Sequence, residues 1–508
     1  MEGVRRAAGG EGERQPAPDA AARDPQAAAR TPVVMYTPLP PARTGIAHYA
    51  SMLLPALRQH VDVIAVDRPQ AEHRAPLAAI YQLGNNPHHE WIYLEAMKNP
   101  GVVVLHDLVL HHLIVEMTLA RGDVDGYVAA LRESHGEAGA AWALGRANGL
   151  HSEMGNFLLP ASIALAQRSR AVIVHNRYAE GRLRSFGVTT PIHVVPHPYE
   201  PAPDARARRA EVRARHGFEP DARVIGLFGF LTAAKRSEVV LRAFAEGRAR
   251  DPRLRLLVVG EPAPNIDVAT LAGDGITFTG YVDDDEFAAY YAAVDRLVNL
   301  RYPTAGETSG TLIRAFEAGK PVAVSDYAQF AELPDDVVVK IAFDREEEAL
   351  VDFFTSDLAD PSAAQARFLH EHASMEATVA GYLRALEPAA RVASQAANGS
   401  IPLFPRLALV EATRERITVR NIGEATIATR TYGVPGYRLI VKLAADGLPH
   451  VDRWLELPRD LRVGEVATLP LTVPPSWMQS PSPLSMTLHH AIESIPMLEP
   501  EAWAHALI

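Results

Sequence analysis

Two periodicities divide this chain. Short apolar runs recur from Val33 onward: Val33–Thr37, Val61–Val66, Val102–Leu105, Ala171–Val174 and Val224–Phe228, then segments near 254–260, 276–282, 296–300, 322–325 and 337–342. Such runs read as strands buried on both faces. Helical spacing falls between them near 48–59, within 123–170, and near 237–250, 284–294 and 308–318, and a last helix is predicted near 375–386. Strand-helix alternation predicts parallel sheets in an α/β fold. Residues 198–222, with repeated Ala-Arg and Asp/Pro, read as a linker, so two Rossmann-like domains are expected, over 31–200 and 201–386. From residue 401 the pattern turns to period two without helices: Arg416–Val419, Thr426–Thr431, Arg438–Leu443, Val466–Val473 and Leu484–His489. That pattern predicts a small all-β sandwich over 401–508. Residues 387–400 read as a second linker, and residues 1–30, rich in Ala, Arg, Gly and Pro, as a disordered tail.

The densest chemistry lies in 296–326. An apolar strand, Leu297–Leu300, is broken by Pro303-Thr304-Ala305-Gly306, and a helix is predicted from about Thr308 to Ala318. Gly319 stands where a left-handed cap belongs, and Pro321 ends any continuation before the strand at Val322. Leu312, Ala315 and Phe316 share one helix face, while Glu307, Gly310, Thr311 and Arg314 share the other. The amides of Ser309, Gly310 and Thr311 are expected to point out of the helix start, where small side chains let an anion approach. A solvated helix face fits the same spacing.

Other candidates also fall at strand ends, where ligands gather in open α/β sheets. Gly45 follows the first strand in Thr37-Pro38-Leu39-Pro40-Pro41-Ala42-Arg43-Thr44-Gly45. Asn85 follows Leu83-Gly84. His106 and Asp107 close the run Val102–Leu105, with His111 and His112 just beyond. A His-Asp pair there serves binding, metal ligation or plain structure, and the histidines lack a recognised ligand spacing. Lys235 lies at the predicted start of the helix after Gly229; a cation there is favourable only beside an anion, and otherwise it is solvated. Glu261 and the turn at Tyr281-Val282 occupy further strand ends.

The net charge of −11 argues against a nucleic-acid partner. The absence of cysteine excludes disulfides and thiolate chemistry and fits a reducing cytoplasm. No apolar run reaches the ~20 residues that span a bilayer.

Several of these segments together resemble the family-4 retaining glycosyltransferases of the GT-B fold. Ala315-Phe316-Glu317-Ala318-Gly319-Lys320-Pro321-Val322 is similar to the second half of their donor motif, E-x7-E-A-x-x-x-G-x-P-V. The Pro38–Tyr49 loop, the Leu105-His106-Asp107 phrase and Val195-Pro196-His197 resemble further family segments. By this resemblance Glu307 contacts the transferred sugar or phosphate, Lys235 the donor diphosphate, and His106 lies beside the reacting sugar. Gly45, Gly229, Glu261, Val282, Thr308, Ser309, Gly310, Thr311 and Arg314 would line the donor site, and Arg43, Asn85, Asp107 and His111 the acceptor site. Three features depart: Arg314 replaces the family's second Glu, Glu307 lies one residue closer to that position than the motif requires, and Phe230 replaces the Arg of its G-R-x4-K phrase. The period-two region resembles immunoglobulin-like modules appended to bacterial transferases. The resemblance implies a nucleotide-sugar donor, a glycan or lipid-linked acceptor, no metal or other cofactor, self-association or protein contact through the β module, and a cytoplasmic place, peripheral at the inner membrane face. Its rival is a degenerate homologue that binds carbohydrate without catalysis.

Overall fold

The computed structural model describes residues 32–69 except 43, 78–149, 155–199, 201, 205–261 except 230, 273–388, 407–422, 438–444, 451–457, 461–473 and 485–490. The first sheet contains β1 (Val33–Tyr36), β2 (Val63–Val66), β3 (Ala78–Leu83), β4 (Val102–Leu105), β5 (Ala171–Val174) and β6 (Ile192–Val194). All pair in parallel, in the order β2-β1-β3-β4-β5-β6. The apolar runs are continuous because both faces are covered. In β4, Val103 and Leu105 enter one core cluster with Tyr81, Leu113 and Trp142, while Val102 and Val104 enter another with Met35, Ile80 and Tyr382. Each such buried side chain contributes about 1.5–3 kcal/mol relative to exposure.

The second sheet contains β7 (Arg223–Phe228), β8 (Leu254–Val259), β9 (Ile276–Phe278), β10 (Arg296–Asn299), β11 (Val322–Ser325) and β12 (Val339–Ile341). It is also parallel, in the order β12-β11-β10-β7-β8-β9. Counted within this domain, the order is that of a dinucleotide-binding doubly wound sheet, and it reverses between β7 and β10. The first sheet reverses between β1 and β3. The two expected parallel α/β domains are therefore present, each with one topological switch point.

The helix Met375–Leu386 follows the second domain but packs on the first. Val379, Tyr382 and Ala385 join the cluster under β1, β3 and β4, and the Thr378 hydroxyl donates to the Pro196 carbonyl at 3.0 Å.

The C-terminal region forms two three-stranded antiparallel sheets among the described residues. One is ordered β13 (Leu407–Ala412), β14 (Arg416–Asn421), β17 (Val466–Pro470). The other is ordered β16 (Val451–Glu456), β15 (Arg438–Ala444), β18 (Ser485–His490). Ala467 and Leu469 are buried at alternate positions of β17, as period two requires, while in β14 Ile417, Thr418 and Val419 are buried in succession. Arg462 forms a 2.6 Å ion pair with Asp344 of the second domain. The strand expected over Thr426–Thr431 lies outside the described residues.

Several expected boundaries move. The first helix begins at Gly45 because the Thr44 hydroxyl caps it, accepting from the Ala47 amide at 3.0 Å. The 276–282 segment is strand only to Phe278; Gly280, at φ 71°, turns it into a bridge with Gly260. The helical region 123–170 divides into Val124–Ala147, kinked at Gly136, the short turn Gly155–Leu158 and Ile163–Arg168.

Candidate functional site

At the switch point of the second sheet, β7 ends at Phe228 and turns at Gly229, whose φ is 81°. A Cβ there would stand 3.0 Å from Lys235 Nζ and 3.5 Å from Thr311 Oγ1, so these residues converge on one point. The loop after β8 closes on the same place: a Cβ on Gly260 would come within 2.5 Å of the Gly229 carbonyl. Close backbone approach and positive φ require glycine at both positions.

Lys235 does not stand at the helix start in solvent. It ends the short turn Ala233–Lys235, one residue before the cap of the helix Ser237–Arg250, and is buried with Nζ donating to the Phe228 carbonyl. Burial pushes its ammonium well below the usual lysine range, the Arg301 charge adds to this, and Glu307 opposes it. An ammonium has three donors, and the Phe228 carbonyl takes one of them.

Past β10 the chain places Arg301, Thr304 and Glu307 in one network. Glu307 accepts from Arg301 Nε at 3.2 Å, from the Thr304 hydroxyl at 3.0 Å and from the Ala305 amide at 3.0 Å. Gln329 braces it from behind, donating to Thr304 Oγ1 at 2.8 Å and to the Glu307 carbonyl at 2.9 Å. The following helix runs Gly310–Glu317 and not from Thr308, because Ser309 caps it. The Ser309 hydroxyl accepts from the Leu312 amide at 3.3 Å and donates to Asn299 Oδ1 at 3.2 Å. Gly310 is exposed with open space where its Cβ would be. Lys320 N donates to the Ala315 carbonyl and Gly319 N to that of Phe316, a Schellman ending with Gly319 at φ 65°.

The first domain meets this loop directly. Val109 N donates to the Ala305 carbonyl at 3.0 Å, Asn176 Nδ2 donates to that of Gly306 at 2.9 Å, and a Cβ on Gly306 would lie 2.7 Å from Leu108 Cβ. Asp107 therefore faces the Glu307 side. Its Oδ2 accepts from the Asn85 amide at 2.7 Å. Burial, then the Glu307 charge, push the Asp107 carboxyl up to about 7, while the Asn85 hydrogen bond works the other way. Asn85 Oδ1 accepts from the Leu113 amide at 3.1 Å, which holds the turn.

Other sequence candidates lie elsewhere. His106 is buried: Nε2 bonds Gln82 Oε1 at 2.6 Å and Nδ1 meets His175 Nε2 at 3.2 Å. His111 is fully buried between the Leu159 carbonyl, at 2.7 Å, and the Tyr127 hydroxyl, at 2.6 Å, so it is withdrawn from the cleft. Gly45 is exposed at its helix start. Thr308 is half-buried beside Glu307, and Val282 packs against the second core. Glu261 is exposed, and its carbonyl accepts from Leu231 N at 2.8 Å. Arg314 lies over the Phe287 ring, 5.5 Å from its centroid, one turn along from Thr311. Arg43 and Phe230 lie outside the described residues. Arg301 is the site residue that sequence reasoning missed; a charged residue closing the apolar run Leu297–Leu300 is the signal that could have found it.

The chain is similar to several known proteins. About 30% identity over short spans links the chain to two relatives. D-inositol 3-phosphate glycosyltransferase of Stackebrandtia nassauensis is 34% identical over 151 residues, 27% of this chain and 32% of the relative. Mannosylfructose-phosphate synthase of Agrobacterium fabrum is 30% identical over 151 residues, 26% of this chain and 32% of the relative. The chain thus matches about a third of the length of each. Among solved structures, the sucrose-phosphate synthase of Thermosynechococcus elongatus aligns at 17% identity and TM-score 0.46, covering 70% of this chain and 98% of its own. The Anabaena protein HepE, in complex with UDP and glucose, aligns at 13% identity and TM-score 0.48, covering 70% and 99%. Residues 222–360, which hold Gly229, Lys235, Arg301, Glu307 and Thr311, match the family described as glycosyl transferases group 1.

Proposed function

We propose that this chain is a GT-B glycosyltransferase that moves a sugar from a nucleotide-sugar to a hydroxyl acceptor with retention at the anomeric carbon. The observation that carries the reading is the meeting of Gly229, Lys235 and Thr311 at the second switch point, with Glu307 beside them and Asp107 across the cleft. The donor diphosphate lies against the helix start at Ser309–Thr311, where amide dipoles favour anions. The remaining Lys235 N–H groups aim at the same oxygens. As the glycosidic bond to phosphate breaks, charge grows on the leaving phosphate, and preorganised donors in a water-poor cleft act most strongly there. Glu307, held in place by Arg301 and Thr304, binds the transferred sugar. Asp107 hydrogen-bonds the acceptor hydroxyl, and the phosphate takes its proton during same-face attack. No resident metal is needed in this scheme.

The names of the two relatives, a glycosyltransferase and a synthase of a sugar phosphate, support sugar transfer as the reaction class. The antiparallel C-terminal region is read as an immunoglobulin-like module for glycan, protein or self contact. Among the described residues no helix is long and apolar enough to cross a membrane, and we place the protein in the cytoplasm, with a lipid-linked acceptor bringing it to the inner membrane face.

Thermal unfolding of the wild type against UDP-, GDP-, ADP- and TDP-sugars tests this. One nucleotide-sugar should raise the midpoint, and Lys235→Ala and Glu307→Ala should abolish or weaken that rise. No rise with any donor sinks the reading. A rise without turnover on any acceptor favours the binding-only homologue, for which Arg314 in place of the family's second Glu is the motivating observation.

A further inference from the structure

A cavity of about 500 Å³ opens among the helices Arg209–Arg215, Asp284–Ala293 and Gly310–Glu317. Lys320 lies just before β11, and Arg209 bonds the carbonyls just before β10, so the cavity lies beside the ends at which the chain enters these strands. The lining brings together Arg206, Arg209, Arg314 and Lys320, with Glu317 the carboxylate among them. Tyr291 and four alanines supply apolar wall.

The cations differ in how they are held. Arg209 is fixed: Nη1 donates to the carbonyls of Ala292, Ala293 and Val294 at 2.8–3.1 Å, and Nη2 pairs with Asp295 at 2.5 Å. Asp295 is also shared with Arg213, at 3.2 Å. Lys320 is half-buried, and its Nζ makes no hydrogen bond or ion pair with any described residue; burial and then the Arg209 charge push its ammonium below the usual lysine range, Arg206 adds to this, and the Asp295 carboxylate offsets part of it. A half-buried ammonium pressed by guanidinium groups, without a bonded acceptor, is an arrangement that an anion completes.

We propose that this cavity binds a small phosphorylated metabolite, its phosphoryl group held by Lys320, Arg206 and Arg209 and its carbon skeleton lying along Tyr291 and the alanines. The tetrahedral, dianionic phosphoryl group suits one point-charge donor combined with forked guanidinium donors. The volume falls in the range of small-molecule sites and exceeds what a bare phosphate fills. This cavity adjoins the candidate donor site, sharing Arg314 with its expected lining, but Gly229, Lys235 and Thr311 do not line it, so the proposal does not depend on the reading of that site. Tyr291 touches both: its ring lines the cavity, and its hydroxyl donates to the Thr311 carbonyl at 3.0 Å.

Calorimetric titration with ribose 5-phosphate and with inorganic phosphate tests the proposal on the full chain. Ribose 5-phosphate should bind saturably and more tightly than inorganic phosphate. Lys320→Met and Arg206→Gln should each weaken it by about tenfold or more, the loss of one charge-assisted contact, while Lys235→Met leaves it unchanged. Arg206 is exposed, so Arg206→Gln keeps the test decisive if Lys320→Met fails to fold. The proposal is overturned by absence of saturable binding at millimolar ligand. It is equally overturned by binding that Lys235→Met removes and Arg206→Gln leaves intact, or by inorganic phosphate binding as tightly as the ester.

Discussion

The hydroxyls of Tyr49 and Tyr382, separated by 333 positions in the chain, lie 2.9 Å apart in the core of the first domain. Gln82 Nε2 donates to the Tyr382 hydroxyl at 3.0 Å, and Gln82 Oε1 meets His106 Nε2 at 2.6 Å. This polar thread ties the returning helix Met375–Leu386 to the sheet that carries one wall of the cleft. Buried networks of this kind are strong when every member is satisfied and costly when one is removed. Tyr382→Phe should therefore destabilise the protein by about 1–3 kcal/mol, read as a lower urea midpoint with unchanged slope. It should also raise amide exchange in 375–386. An unchanged midpoint would mean that apolar packing alone holds the helix.

The same thread shows what a sequence can and cannot disclose. The runs Val102–Leu105 and Leu297–Leu300 are legible as buried strands because continuous apolarity is a local signal. The Gly319 cap is legible because its left-handed φ needs glycine. The strand Ala78–Leu83 is masked by Gln82, whose polarity makes sense only once Tyr382 arrives from 300 residues away. His106 and Asp107 are neighbours just past one strand end, yet in the bend after β4 His106 turns into the core and Asp107 toward Glu307. Arg301 pairs with Glu307 across a loop whose path no periodicity encodes. The convergence of Gly229 with Thr311 arises from the strand order β10-β7-β8, which motifs suggest but do not determine.

Lys235 separates function from stability. Its buried ammonium has a pKa depressed below its unfolded value, so holding it charged at neutral pH opposes folding, and this opposition fades as pH rises. Lys235→Met keeps the length of the side chain and removes the charge. The variant should be as stable as the wild type or more so, by up to about 1–4 kcal/mol, in thermal unfolding at pH 7. Its nucleotide-sugar response should nevertheless be gone. A variant that unfolds earlier than the wild type would show the bond to the Phe228 carbonyl to be worth more than the buried charge.

Three rings cluster near Tyr49: His106, His175 and His197, whose ring centroids lie 4.6, 5.5 and 5.0 Å from that of Tyr49. Burial lowers all three first and foremost, and their mutual repulsion adds to this for His106 and His175. The His175 ring is brought to about 3, that of His197 to about 4, and His106 falls well below the usual range. Folded pKa values below the unfolded 6.5 mean that the stability of this cluster is complete above pH 6.5 and lost as pH falls from there toward 4 and 3. Each ring should account for about 1–3 kcal/mol of that loss. Unfolding midpoints measured from pH 7.5 down to 4.5 should drop steeply, and His197→Phe, which preserves the aromatic contact, should flatten the slope. Equal slopes in both proteins would count against the cluster as the source.

Asp107 has the opposite sign. Its folded pKa, raised to about 7 from an ordinary 3.8, means that the folded state prefers the protonated carboxyl. Relative to the unfolded chain, this group favours folding fully below about pH 4, and that contribution is lost as pH rises through about 7. Asp107→Asn keeps an oxygen for the Asn85 amide and removes the charge that Glu307 repels. At pH 8 the variant should be more stable than the wild type by about 2–4 kcal/mol, and the gap should close toward pH 4. Because the histidine cluster lowers stability below pH 6.5 in both proteins, the quantity to measure is the difference between the two midpoints at each pH. If Asp107 also bonds the acceptor hydroxyl, Asp107→Asn should raise KM for the acceptor more than it lowers kcat. Glu307→Gln should remove the same repulsion from the other side and bring the Asp107 titration lower. A midpoint difference that does not vary between pH 4 and 8 would show that neither burial nor Glu307 raises the Asp107 carboxyl.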